Sequence, residues 1–241
     1  MTRDAQPVTV DAAADPAAAI AAAAAAVEAG ECIVLPTDTV YGIGANALDA
    51  EAVQRLLDAK RRGRDMPPPV LIAEPALLPS LTAEISPAAE ALAAAFWPGA
   101  LTLIVRAQHA LRMELGDRGQ TIAVRVPDHD FTRRLLRRTG PLAVSSANLS
   151  GRPAALTAAA AAEQLGVSVA VYIDGGACDA QTPSTIVDVS GDGAVVLRPG
   201  RLTPAELRTV VPGIEFLDDV SAADGEDGAS GTAGEKAPGE G

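Results

Sequence analysis

The sequence predicts one α/β domain built on a mixed sheet, and three observations carry that expectation. Short apolar runs of strand length alternate with helical periodicities, some strands being joined by helices and others lying nearly adjacent. The 241 residues are 48% hydrophobic, enough for a sizeable core, yet six are aromatic, so Val, Leu, Ile and Ala must fill it. No internal repeat or linker interrupts the pattern until residue 218, where Gly, Ser, Ala and seven acids with one lysine take over. Residues 218–241 cannot bury enough surface to offset their ordering entropy and are read as a disordered acidic tail. Residues 1–14 are read as an N-terminal strand or extension, and 15–212 as the domain proper.

Along the chain, an alanine-rich helix is predicted over 16–29, stopped by Gly30. A buried strand follows at 32–36. Asp49 caps a helix ending near residue 59, and a loop rich in Arg, Gly and Pro fills 60–69. Residues 70–72 read as a short strand, 76–81 and 87–95 as helical, and Trp97-Pro98-Gly99 as a turn. Strands are expected at 101–107 and 121–126, a helix at 131–139, a strand at 142–145 and a helix at 157–165. Further strands are expected at 169–173, 184–189 and 194–198. Thr203-Pro204-Ala205-Glu206 forms a capping box with proline at the first helical position.

Composition removes several classes. Collagenous and disulfide-scaffold proteins are excluded. Cys32 and Cys178 sit in apolar segments without a C-x-x-C partner, which predicts reduced thiols, a cytoplasmic protein and no zinc site. Asp4, Asp11 and Asp15 interrupt any secretory leader, and the alanine run 17–26 is too short and too weakly apolar to span a bilayer. The net charge of −12 divides equally, −6 in the tail and −6 in residues 1–217. All 18 bases of those 217 residues are arginine except Lys60, which marks a place where a compact ammonium is wanted and a planar fork is not.

Polar clusters interrupt the apolar pattern near strand ends, where ligands of open α/β sheets bind. The first is 36–46, PTDTVYGIGAN, read as a loop with two hydroxyls, a carboxylate and a phenol; an ordinary polar turn has the same residue types. Its G-x-G-x-x-A match is rejected as a dinucleotide fingerprint, because six residues separate it from the strand end. The second is Lys60-Arg61-Arg62-Gly63-Arg64, either cations complementing a helix dipole or a polyphosphate clamp. The third is 145–153, SSANLSGRP, small hydroxyls and an amide suited to close approach of phosphate or nucleobase. Thr121 and Arg125 share one strand face, and a strand-borne guanidinium in apolar surroundings requires an anionic partner. His109 and His129 lack a second ligand at metal spacing and are expected to face solvent. No metal site and no Ser-His-Asp arrangement is predicted.

Taken together, PTDTVYGIGANA, AKRR, FWPGALTLIV, TIAVRVPDH, SSANLSGRP, IDGG, PSTIVD and LRPG, in that order over nearly two hundred residues, resemble the YrdC-like threonylcarbamoyl-AMP synthases in their short, single-domain form. The resemblance implies a twisted mixed sheet with flanking helices around a large, positively lined concave cavity. It implies catalytic roles for Lys60 and Arg62 of the K-x-R motif. ATP contacts are implied for these two, for Ser146 and Asn148 of S-x-N, and for Thr121, Arg152 and Arg198; threonine contacts are implied for Thr37, Arg125 and Ser184. The implied substrates are L-threonine, bicarbonate or CO2, and ATP with Mg2+, and the implied recipient of the product is the tRNA threonylcarbamoyltransferase complex. Leu71 stands where the family often has a histidine of the threonine pocket, Asp38 where it has Glu, and Pro183 where it has an acid. Two other readings compete: a tRNA- or double-stranded-RNA-binding module using Arg133, Arg134, Arg137 and Arg138, with weak tRNA binding also compatible with the enzyme, and a carbamoyl-transfer relative, for whose extra domains the chain has no room.

Overall fold

The structure, a computed structural model, describes residues 6–111, 113–117, 120–178 and 182–217. Among the described residues eleven strands form one sheet: β1 (Val8–Asp11), β2 (Ile33–Leu35), β3 (Gly42–Asn46), β4 (Val70–Leu71), β5 (Leu101–Arg106), β6 (Thr121–Arg125), β7 (Leu142–Ser146), β8 (Val171–Asp174), β9 (Thr185–Asp188), β10 (Val195–Arg198) and β11 (Glu215–Phe216). Their order is β1-β8-β2-β3-β7-β4-β6-β5-β9-β10-β11. Parallel and antiparallel pairs mix throughout, as the short and long connections predict. The α-helices are α1 (Pro16–Glu28), α2 (Ala50–Lys60), α3 (Leu78–Leu81), α4 (Pro87–Phe96), α5 (Asp130–Thr139), α6 (Ala158–Leu165) and α7 (Pro204–Val210).

Period-two alternation explains how β2 is covered on both faces. Ile33 and Leu35 pack with α1 and α5 residues such as Ala23, Val27 and Leu135. Cys32 and Val34 face the other way, toward Leu56 of α2 and Ala161 and Leu165 of α6. A third apolar cluster, with Leu92, Trp97, Leu101, Leu103 and Val124, fills the end built from β5, β6, α4 and α7. The helix starts follow the capping residues: Asp15, Asp49, Ser86, Thr157 and Thr203 each accept from backbone N–H groups of the first turn. The capping box Thr203–Glu206 forms as expected.

Two expectations are corrected. Residues 42–46 are not loop but the buried strand β3, paired antiparallel to β2 and β7. A Cβ at Gly42 would lie 2.6 Å from Val144 Cγ1 and one at Gly44 3.0 Å from Leu35 Cδ2, so these glycines let neighbouring side chains close over the strand. His129 does not simply face solvent: half-buried, it caps α5 through Nδ1, 3.4 Å from Thr132 N, and burial pushes its pKa below the ordinary value. The predicted tail, 218–241, lies outside the described residues. Among the described residues no helix is long and apolar enough to cross a membrane.

Candidate active site

A cavity of about 510 Å³ opens between the β2–β3 connection, β4–β7 and the β9–β10 segment. Nine of the ten residues singled out from sequence line it: Thr37, Arg62, Thr121, Arg125, Ser146, Asn148, Arg152, Ser184 and Arg198. Its wall carries four guanidinium groups against two carboxylates, Asp65 and Asp188, so a chain of net charge −12 keeps a positive cavity.

The Arg125 end is buried and densely hydrogen-bonded. Strand β6 carries Thr121 and Arg125 on one face, and Arg125 is 6% exposed. Its Nη2 pairs with Asp38 Oδ1 at 2.6 Å, its Nη1 donates to Thr39 Oγ1 at 3.0 Å and its Nε to Gly99 O at 2.9 Å. The anionic partner demanded by the buried strand arginine is therefore Asp38, three residues beyond the end of β2 in Pro36-Thr37-Asp38. Burial pulls the Arg125 pKa below its ordinary value and Asp38 opposes the shift. Of five guanidinium N–H groups three are engaged, leaving one on each Nη for a ligand. Thr37 Oγ1 donates to Val40 O at 2.6 Å, which fixes the turn before β3. Ser184, just before β9, shares a hydrogen bond with Thr102 Oγ1 at 2.9 Å. Arg198 Nη2 donates to Ser184 O at 2.6 Å and reaches Ser184 Oγ at 3.1 Å; burial and the nearby charges of Arg125 and Arg62 lower its pKa.

The opposite wall is the turn after β7. Arg62 Nη1 donates to Ser145 Oγ at 3.0 Å, and burial lowers the Arg62 pKa. Asn148 Nδ2 donates to Leu149 O and Arg152 O, both at 2.8 Å, which orients the amide with Oδ1 away from those carbonyls. Among the described residues the buried side-chain polar atoms left without a partner are Asn148 Oδ1 and Arg62 Nε. Both belong to residues that line this wall. Lys60 is the exception in place: it is 2% exposed, off the cavity wall and behind the turn.

The polar cluster 36–46 held Asp38, Thr39 and Tyr41 without a role for any of them, and Thr102 was overlooked. Tyr41 lines the cavity, donates to Gly176 O at 2.6 Å, accepts from Gly175 N at 3.0 Å, and has its pKa pushed up to about 12 by burial. The buried guanidinium was the available signal for Asp38, and the phenol of the polar cluster the signal for Tyr41; Thr102, inside an apolar strand run, had none. Leu71, Met66, Pro67 and Pro183, all in stretches that depart from the motif pattern, also line the cavity.

The Sua5/YciO/YrdC family model, whose description is telomere recombination, matches residues 25–200. The chain belongs to this family. A protein of Mycobacterium tuberculosis strain H37Rv is 47% identical over 192 residues, covering 80% of this chain and 88% of its own. The threonylcarbamoyl-AMP synthase of Bacillus subtilis is 40% identical over 194 residues, covering 80% of this chain and 56% of its own. The crystal structure of Pyrococcus abyssi Sua5 complexed with L-threonine superposes with a TM-score of 0.82 at 35% identity, covering 96% of this chain and 66% of that one. The twisted mixed sheet with flanking helices is thus the Sua5 architecture, and this chain spans about two thirds of the Sua5 chain.

Proposed function

We propose that this chain is an L-threonylcarbamoyladenylate synthase, a nucleotidyltransferase of the cytoplasm. The threonine amine takes up CO2 or bicarbonate to form an N-carboxylate. A carboxylate oxygen then attacks the α-phosphorus of ATP, the bond to the bridging oxygen breaks, and pyrophosphate leaves. Threonylcarbamoyl-AMP results, ready for transfer to tRNA next to the anticodon by a threonylcarbamoyltransferase complex.

The observation that carries this reading is a cavity with four guanidiniums and several hydroxyls, one guanidinium pinned by Asp38. Such a reaction needs little covalent help; it needs two anionic reactants held in line and charge on the phosphates stabilised. Arg125, with Thr37 and Ser184 beside it, suits the amino-acid carboxylate and hydroxyl. Arg62, Arg152, Arg198, Thr121, Ser146 and Asn148 suit the nucleotide. Mg2+ enters as part of the nucleotide substrate. Among the described residues no group of three His, Cys, Asp or Glu could hold a metal ion, so the phosphates would supply most ligands, with Asp65 and Asp188 the carboxylates on the cavity wall.

Ion pairs reduce the positive charge on which the RNA-binding alternative rests. Arg133 and Arg137 both pair with Glu74, and Arg138 with Glu28 at 3.2 Å. Purified protein incubated with ATP, threonine and bicarbonate, without tRNA, tests the reading: pyrophosphate release must require all three.

A further inference from the structure

We propose that Lys60 is a positioning residue, which fastens the Ser146–Ser150 turn from behind and does not touch the nucleotide. Lys60 ends α2 and is among the largest fully buried side chains of the protein. Its Nζ donates to Ser146 O and, at 2.7 Å, to Asn148 O. Its own carbonyl accepts from Ser150 N at 3.0 Å. Three hydrogen bonds thus tie one residue to three alternate positions of the turn. The carbonyls of Ser146 and Asn148 are drawn back toward Lys60 at the end of α2, and both residues also line the cavity. Arg62, two positions on, does line the cavity, so the two cations of the motif divide the work between wall and support.

The residue type fits this division. Two carbonyls in a closed space suit a small ammonium with rotatable donors; a guanidinium would bring five N–H groups and leave several unpartnered. This accounts for one lysine among the 18 bases of residues 1–217. Burial, helped by the charge of Arg62, lowers the Lys60 pKa to about 8, and the neutral amine still carries two N–H donors for two carbonyls. The turn therefore keeps its fastening on either side of that pKa.

The inference deepens the nucleotide-site reading, yet its primary test uses ligand-free protein and stands whether or not that reading holds. Hydrogen–deuterium exchange over residues 145–152 is compared in wild type, Lys60→Met and Lys60→Arg, with circular dichroism confirming the fold. A fastening role predicts exchange at least tenfold faster in both variants, since arginine cannot replace the buried ammonium. It also predicts a raised KM for ATP with KM for threonine within twofold, a split that general loosening of the fold would not produce. Wild-type exchange of the turn in Lys60→Met together with lost ATP affinity, or near-complete rescue of ATP affinity by Lys60→Arg, would overturn the proposal. Should neither variant fold, acylation of the wild type decides. Lys60 in the ligand-free protein is expected to react at least tenfold slower than in the urea-unfolded chain. Rapid labelling suppressed only by ATP would place it on the nucleotide instead.

Discussion

Replacing Asp38 with alanine probes the electrostatic design of the cavity through a single atom pair. The Arg125 and Asp38 side chains are 8% and 14% exposed and their charged atoms lie 2.6 Å apart. Without the carboxylate, the buried guanidinium keeps the Thr39 hydroxyl and the Gly99 carbonyl as partners and loses its counter-charge. Stranding one member of a buried pair costs about 3–5 kcal/mol, and the partial exposure of Asp38 places this case near about 3 kcal/mol. For a domain of this size that lowers Tm by about 6–12 °C. Urea unfolding of wild type, Asp38→Ala, Arg125→Met and the double variant measures the coupling directly. The double variant should be more stable than the sum of the single losses by about 1–3 kcal/mol. In activity assays Asp38→Ala should raise KM for threonine about tenfold, the equivalent of one charged hydrogen bond, and spare KM for ATP. Additive losses, or an Asp38→Ala penalty no larger than the ~0.5 kcal/mol of an exposed pair, would refute the reasoning.

Arg62→Met should slow adenylate formation about a hundredfold or more while leaving Tm unchanged or higher, because a buried Nε without a partner is removed with the charge; stopped-flow pyrophosphate release and calorimetry check both halves. Lys60 titrates near 8 when folded and 10.5 when unfolded, so the unfolded chain binds more protons between those values. Its contribution to stability is complete above about 10.5 and is lost as pH falls through about 8, by up to about 3.5 kcal/mol at 1.4 kcal/mol per pH unit. The difference between wild-type and Lys60→Met unfolding curves over that range should show this slope. A Cβ at Gly200 would meet Ser184 C and Thr185 N at 2.5 Å, both backbone atoms that cannot swing aside. Gly200→Ala should cost about 1–3 kcal/mol, read by urea unfolding, and weaken threonine binding by displacing Ser184, read by calorimetric titration.

What the sequence made legible is what local chemistry decides. Asp49 and Thr203 announce helix starts because their side chains must cap backbone N–H groups, and Arg125 announces a carboxylate partner because a buried guanidinium needs one. Strand β3 was hidden because Gly42 and Gly44 carry no strand preference; they are there for Val144 and Leu35, which arrive from neighbouring strands. Lys60 stood out as the lone lysine of residues 1–217, but the contacts that bury it did not. Beside Arg61, Arg62 and Arg64 at a helix end it reads as a cation complementing the helix dipole or as part of a polyphosphate clamp, and only the turn 86 residues later supplies the acceptors that bury it. The α5 arginines looked like a phosphate-binding face until Glu74 and Glu28, distant in sequence, were found beside three of them.

The central claim, that one cavity holds threonine and ATP together for carboxylate attack on the α-phosphate, meets its most direct test in isotope tracing. With 13C-bicarbonate, threonine and α-32P-ATP in the absence of tRNA, a labelled product carrying both the 13C carbamoyl carbon and the 32P adenylyl phosphate should appear in step with pyrophosphate. ATP cleavage that proceeds equally without threonine, or tRNA binding with no doubly labelled product, would contradict it.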